Sequence, residues 1–262
     1  MVIEIIRNAI LIPAMLALVS GLVIRSAKAE PWIYALISFV LFLLLEGRGQ
    51  LFNALLSMDY LWIGPLLAAA LFSNEKAAGI VSRIILAGTL LTLMIWPFRD
   101  QVTMPQHLAS VAVVVLPVVL IKTAVGPATT SGRLYRLSMA SIIAMPVLML
   151  ASMVAIDGSL KIAEYAGAIG ITALVLFALQ VGRNQSVIAS GIILPTQLAM
   201  LAAIHLAEFS PAVMLLLLIP WLVLHLNRWI MPAFLIIGSG YAVIILVLAS
   251  GMYFIWPEQA LY

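Results

Sequence analysis

Residues 108–127 read LASVAVVVLPVVLIKTAVGP, and residues 187–206 read VIASGIILPTQLAMLAAIHL. A helix needs about 20 apolar residues to cross a hydrocarbon layer about 30 Å thick, and each stretch has that length. Backbone polar groups in such a layer must be satisfied within the segment, so each is predicted to be a helix. Between them lie two further apolar spans and the tripeptide Gly182-Arg183-Asn184. Three polar marks stand out: Lys122 in the first span, the Arg183–Asn184 turn, and Gln197 in the middle of the last span. A cation, a tight turn and a mid-span amide, spaced by whole helices, are the candidates for a shared polar path.

The rest of the chain has the same character. Of its 262 residues, 65% are hydrophobic and 9% charged, with mean hydropathy +1.21. Soluble domains carry about 25% charged residues. This composition predicts an integral membrane protein with an all-α, polytopic transmembrane bundle as one domain over residues 1–262. No polar gap is long enough to bury a core of its own. There is no cysteine, which excludes disulfides and thiolate metal sites. His107, His205 and His225 lie far apart without metal-ligand spacing, so neither metal nor cofactor is expected. The net charge of +3 is spread between apolar spans, which argues against nucleic acid as a partner. The N-terminal MVIEIIRN leads into a full-length span with no small-residue cleavage site, so no cleavable signal peptide is expected.

Ten spans are predicted, at residues 3–24, 32–45, 51–72, 80–98, 108–126, 137–156, 162–181, 187–206, 211–226 and 230–255. The second and ninth are short, so eight to ten crossings are expected. With ten, one side holds nine cations: Arg25, Lys28, Lys76, Arg83, Lys122, Arg133, Arg136, Arg183 and Arg228. The other side holds four, Arg7, Arg48, Arg99 and Lys161. The positive-inside rule puts the nine-cation side in the cytoplasm and both termini outside. The expected location is a bacterial-type inner membrane, with the lipid bilayer and other membrane subunits as partners. Trp96 and Trp256, each followed by proline, fit an aromatic belt at the outer interface. Pro13, Pro65, Pro117, Pro146, Pro195, Pro220 and Pro232 fall inside spans, where each removes a backbone hydrogen bond and tends to kink its helix. Gly167 with Gly170, and Gly238 with Ala242, would allow close helix contact.

Ionisable groups at membrane depth are functional candidates by default. Asp59 is eight residues past Leu51, about 12 Å into its span by helix rise. It is either a proton carrier or the N-cap of a helix starting near Tyr60. Lys122 lies about 21 Å past Leu108 and is either a buried cation in a proton path or a side chain that snorkels to the interface. Gln197, two residues past Pro195, either bonds a neighbouring helix or lines a hydrated cavity. Arg83 reads as a snorkelling anchor, and Glu164, His205 and His225 as interfacial.

At these residues the sequence resembles a known family. Residues 108–211 resemble the E-type membrane subunit of group 4 hydrogenases, of the hydrogenase-4 and formate-hydrogenlyase type, kin to the small K-type subunit of complex I. The matching marks are Lys122 and Pro127, then Ala166, Ala168 and Gly170, then Arg183 and Asn184, then Gly191, Leu194, Leu201 and Pro211. The resemblance implies a non-catalytic subunit of a respiratory assembly, partnered by other membrane subunits and associated with proton movement. One departure is plain. The family carries an intramembrane glutamate about a dozen residues after the Arg-Asn turn, where this chain reads Pro195-Thr196-Gln197. The expected function is a scaffold with a candidate part in a proton or ion path through Asp59, Lys122 and Gln197. The alternative is a stand-alone secondary transporter. An intramembrane enzyme is the weakest reading, because no loop carries a phosphate, metal or nucleophile motif and no catalytic residue can be named.

The division of cations makes a direct prediction. Reporter fusions after Arg136 should report a cytoplasmic position and fusions after Glu258 an external one. A cytoplasmic signal from the second would overturn the ten-span count.

Overall fold

The computed structural model describes residues 2–23, 30–45, 59–72, 80–124, 133–156, 159–179, 185–230, 238, 241–247 and 249. Among these the chain is all-helical, with no strand. Helix α1 (Val2–Ile6) passes through a π turn (Arg7–Leu11) into α2 (Ile12–Val23). Then come α3 (Glu30–Leu45), α4 (Tyr60–Phe72), α5 (Ile80–Ile95) and, after a 3₁₀ turn (Trp96–Gln101), α6 (Met104–Ala124). They are followed by α7 (Arg133–Ile156), α8 (Leu160–Leu179), α9 (Gln185–Leu206) and α10 (Pro211–Ile230). The helical stretch expected over residues 211–226 runs for 20 residues, so it is not short. Among the described residues one helical run, Ile80–Gln101, is long and apolar enough to cross a membrane by length and composition; shorter apolar runs such as Met104–Leu120 and Pro211–Val223 accompany it. The Arg183–Asn184 turn, Pro232 and Trp256 lie outside the described residues.

The helix ends have recognisable local causes. Thr103 precedes α6, and its backbone N–H and its Oγ1 both donate to Gln106 Oε1, at 2.8 and 2.9 Å. A glutamine three residues into a helix reaches back to the cap residue in this way in a capping box. The first bond of α8 runs from Ala163 N–H to the carbonyl of Ser159. Helix α9 ends in a widened turn, with Phe209 N–H reaching the Ala203 carbonyl and Glu208 in the left-handed region at φ 53°. Pro211 then opens α10, where its missing N–H does no harm.

Helix α9 sits at the centre. It packs against α3, α4, α5, α6, α7, α8 and α10. Every residue from Ile192 to Ile204 is buried. Helix α8 is its neighbour in the core, with all of residues 162–170 buried, and it packs against α2, α3, α7 and the π turn. Small residues permit this. A Cβ on Gly170 would lie 2.7 Å from Leu148 Cγ of α7, and one on Gly167 would lie 3.1 Å from Ala9 Cβ in the π turn. Gly238, by contrast, has nothing within 4 Å of the corresponding position among the described residues.

Helix α5 is two-faced. Arg83, Ala87, Leu90 and Met94 are buried at helical spacing, while Val81, Ile85 and Leu93 on the opposite face are exposed. Arg83 is therefore buried, not the surface anchor its position near the helix end suggests. Exposed apolar side chains also line the end of the π turn, at Leu11, and α2, at Met15, Val19 and Leu22.

The contrast between glycines is testable. Gly170→Val would force Leu148 and the α7 backbone aside, at about 1–3 kcal/mol for overpacking. Gly238→Ala should leave stability unchanged or slightly raised. Thermal unfolding of the purified protein reads both, and equal effects would refute the close α7–α8 contact.

Candidate functional site

A proline inside a helix has no N–H for the carbonyl four residues earlier, and its ring pushes that carbonyl aside. Burying an unpaired carbonyl is unfavourable by about 1–3 kcal/mol. Two of this chain's helical prolines meet this problem in the same way, and a third has an inter-helix donor close by. Pro65 leaves Leu61 without its helical donor, and Tyr165 of α8 donates its hydroxyl to the Leu61 carbonyl at 2.7 Å. Pro117 leaves Val113, and Gln197 of α9 donates its amide Nε2 to the carbonyls of Val113 and Val114, at 3.3 and 2.6 Å. Pro146 lies inside α7, and Trp221 of α10 donates its indole N–H to the carbonyl of Ile143, three residues before the proline, at 3.1 Å. Just before Pro13 the Ile12 N–H reaches the carbonyl of Arg7, five residues back, which widens the helix by one residue into the π turn.

These donors lie in the interior of the bundle. Gln197 and Trp221 have no exposed surface, and Tyr165 is 3% exposed. Gln197 Oε1 and its neighbour Thr196 Oγ1 are buried without a hydrogen-bond partner among the described residues. Gln197 is thus half satisfied: its nitrogen joins α9 to α6, and its oxygen remains open as an acceptor in the core.

The other expected residues fall as follows. Asp59 is buried in the turn immediately before α4, two residues from Leu61, whose carbonyl Tyr165 holds. Lys122 belongs to the helical backbone of α6, about 12 Å along the axis from Val114 by helix rise, and its side chain lies outside the described residues. Arg183 and Asn184 also lie outside them. The structure therefore brings Gln197 to the helix that carries Lys122. Asp59 precedes α4, which α9 contacts nearer Leu198.

Two further polar groups sit near the end of the bundle where α8 begins and α9 ends. Glu164 is 6% exposed and accepts from Asn8 Nδ2 at 3.3 Å; Asn8 in turn accepts from Arg7 Nε at 3.0 Å. His205 Nε2 pairs with Ser110 Oγ at 2.7 Å, and the Ser110 hydroxyl also lies 2.8 Å from the carbonyl of Gln106. Among the described residues no group of three or more His, Asp or Glu side chains could hold a metal ion. Sequence reading missed Tyr165, Trp221 and Asn8. The prolines were a usable signal, because each names the carbonyl that needs a donor. No known protein family, curated protein or solved structure matches this chain.

The proline contacts predict a specific coupling. Tyr165→Phe and Gln197→Leu should each lower stability by about 1–3 kcal/mol, the effect of a buried carbonyl losing its partner. Pro117→Ala restores a helical donor to Val113, so it should recover part of the loss in the Gln197→Leu background. Strictly additive effects in this double-mutant cycle would refute the contact.

Proposed function

We propose that this chain is a multi-pass inner-membrane protein of about ten spans with both termini outside. In this reading it serves as a non-catalytic scaffold subunit of a complex I-like or group 4 hydrogenase-like assembly. The inverted surface supports the membrane part. Val81 is 68% exposed and Ile85 62%, whereas Arg83 between them is 5% exposed and Gln197 0%. A hydrocarbon solvent accepts the first pair and penalises the second. The resemblance over residues 108–211 supports the assembly, and Lys122, Gln197 and Asp59 are its candidates for a proton or ion path.

The observation that carries a scaffold over a stand-alone transporter is the pinning of the kinks. Alternating access works by moving broken helices and bundles against one another. Here side chains of α8, α9 and α10 fasten α4, α6 and α7 beside their prolines, and the central helix is buried throughout Ile192–Ile204. Such a bundle favours a fixed frame on which partner subunits assemble.

The test is extraction in mild detergent from the native membrane at native expression level. The chain should migrate on native gels in a stoichiometric band with other membrane proteins, far above its own 28.3 kDa. Isolation as a lone, monodisperse species that moves a solute across liposome membranes would decide for the transporter.

A further inference from the structure

Glu164 stands four residues into α8 and is buried, with Asn8 as its hydrogen-bond partner among the described residues. Asn8 is itself 5% exposed, and its Oδ1 accepts from Arg7, which is exposed. A short polar chain therefore leads from the surface to an enclosed carboxyl. The backbone is shaped to build it. The π turn inserts one extra residue between Arg7 and Leu11, and π turns of this kind occur often at functional sites. The bare Cα of Gly167 lets the turn settle against α8.

The surroundings supply little charge. The first helix brings Glu4 and the π turn brings Arg7, and Lys161 lies one turn earlier on α8 with its side chain exposed. Helix α7 turns Leu150, Met153 and Val154 inward. The titratable group that α9 offers at this end is His205, paired with Ser110, and α3 offers Tyr34 near its opposite end. Among the described residues no cation lies within ion-pair distance of Glu164. A carboxylate held by one neutral amide inside packed helices is poorly compensated, and a group so placed neutralises by taking up a proton.

We infer that Glu164, positioned by Asn8, is a reversible proton-binding carboxyl at this end of the bundle, loaded and emptied past Arg7. The proton comes from the adjoining aqueous phase and adds to Oε1, while Asn8 Nδ2 keeps donating to Oε2. No other bond forms or breaks. The inference deepens the proton-path reading by adding a carboxyl to it. It rests on the chain lying in a membrane and is independent of which subunits surround it.

The experiment labels the full chain in native membranes with dicyclohexylcarbodiimide, an apolar reagent that adds to protonated carboxyls, and maps the adduct by peptide mass spectrometry. The adduct is expected on Glu164, falling as pH is raised. It should be lost in Glu164→Gln, which keeps shape and volume, and its pH profile should move in Asn8→Leu. The wild-type profile stands by itself if a variant fails to insert. An unlabelled Glu164 at every pH would overturn the inference, and so would a profile that Asn8→Leu leaves in place. Failure to co-purify with partners would leave the labelling untouched, so the two readings fail separately.

Discussion

Pro65 and Pro117 each create a carbonyl that its own helix cannot satisfy, and the bundle is arranged so that another helix can. Tyr165, Gln197 and Trp221 reach Leu61, Val113 with Val114, and Ile143, respectively. These contacts fix pairs of helices, α8 to α4, α9 to α6 and α10 to α7. They do so at places where each acceptor helix is bent. In an apolar interior such a bond has no water competing for either partner, so losing it leaves the carbonyl unpaired. Donor and kink are therefore mutually dependent. The proline makes the acceptor available, and the donor holds the bent form in place.

The packing around α8 and α9 follows from that arrangement. Apolar side chains gain little by leaving lipid for protein, so helices in such a setting associate through close contact and polar bonds. Gly167 and Gly170 provide the close contact for α8 on two faces, toward the π turn and toward α7. Helix α9 has no free face: residues Ile192–Ile204 are all buried. This makes α9 the poorest candidate for a moving part and the best for a pillar. Its open acceptor, Gln197 Oε1, is then a feature of a rigid centre and not of a flexible one.

The polar interior divides into two levels. Gln197 and Thr196 lie midway along α9, bonded to α6 or open, and carry no charge. Glu164 with Asn8, and His205 with Ser110, lie near the end where α8 starts and α9 stops. A net charge of one sign would be hard to hold at the first level, where an amide is the strongest group available. Glu164 and His205 lie instead near a helix end, where the exposed Arg7 gives contact with the outside, while the buried Arg83 lies in the first turns of α5.

The sequence by itself determined the helical class, the near positions of the helix boundaries and the sites of the kinks. Those depend on local chemistry: runs of apolar residues, the missing N–H of proline, and cap residues such as Thr103. It also marked Gln197 as a residue able to bond a neighbouring helix, because an amide in an apolar span needs a partner. Only the tertiary structure decided which helix that partner belongs to. Nothing local links Tyr165 to Leu61 or Asn8 to Glu164, which lie 104 and 156 residues apart. Arg83 shows the same limit from the other side. Its nearness to a helix end suggests an exposed position, but the direction of a side chain around its helix is set by the neighbours of α5. Pairing and facing are properties of the packed bundle, since they depend on which helices meet and at what rotation.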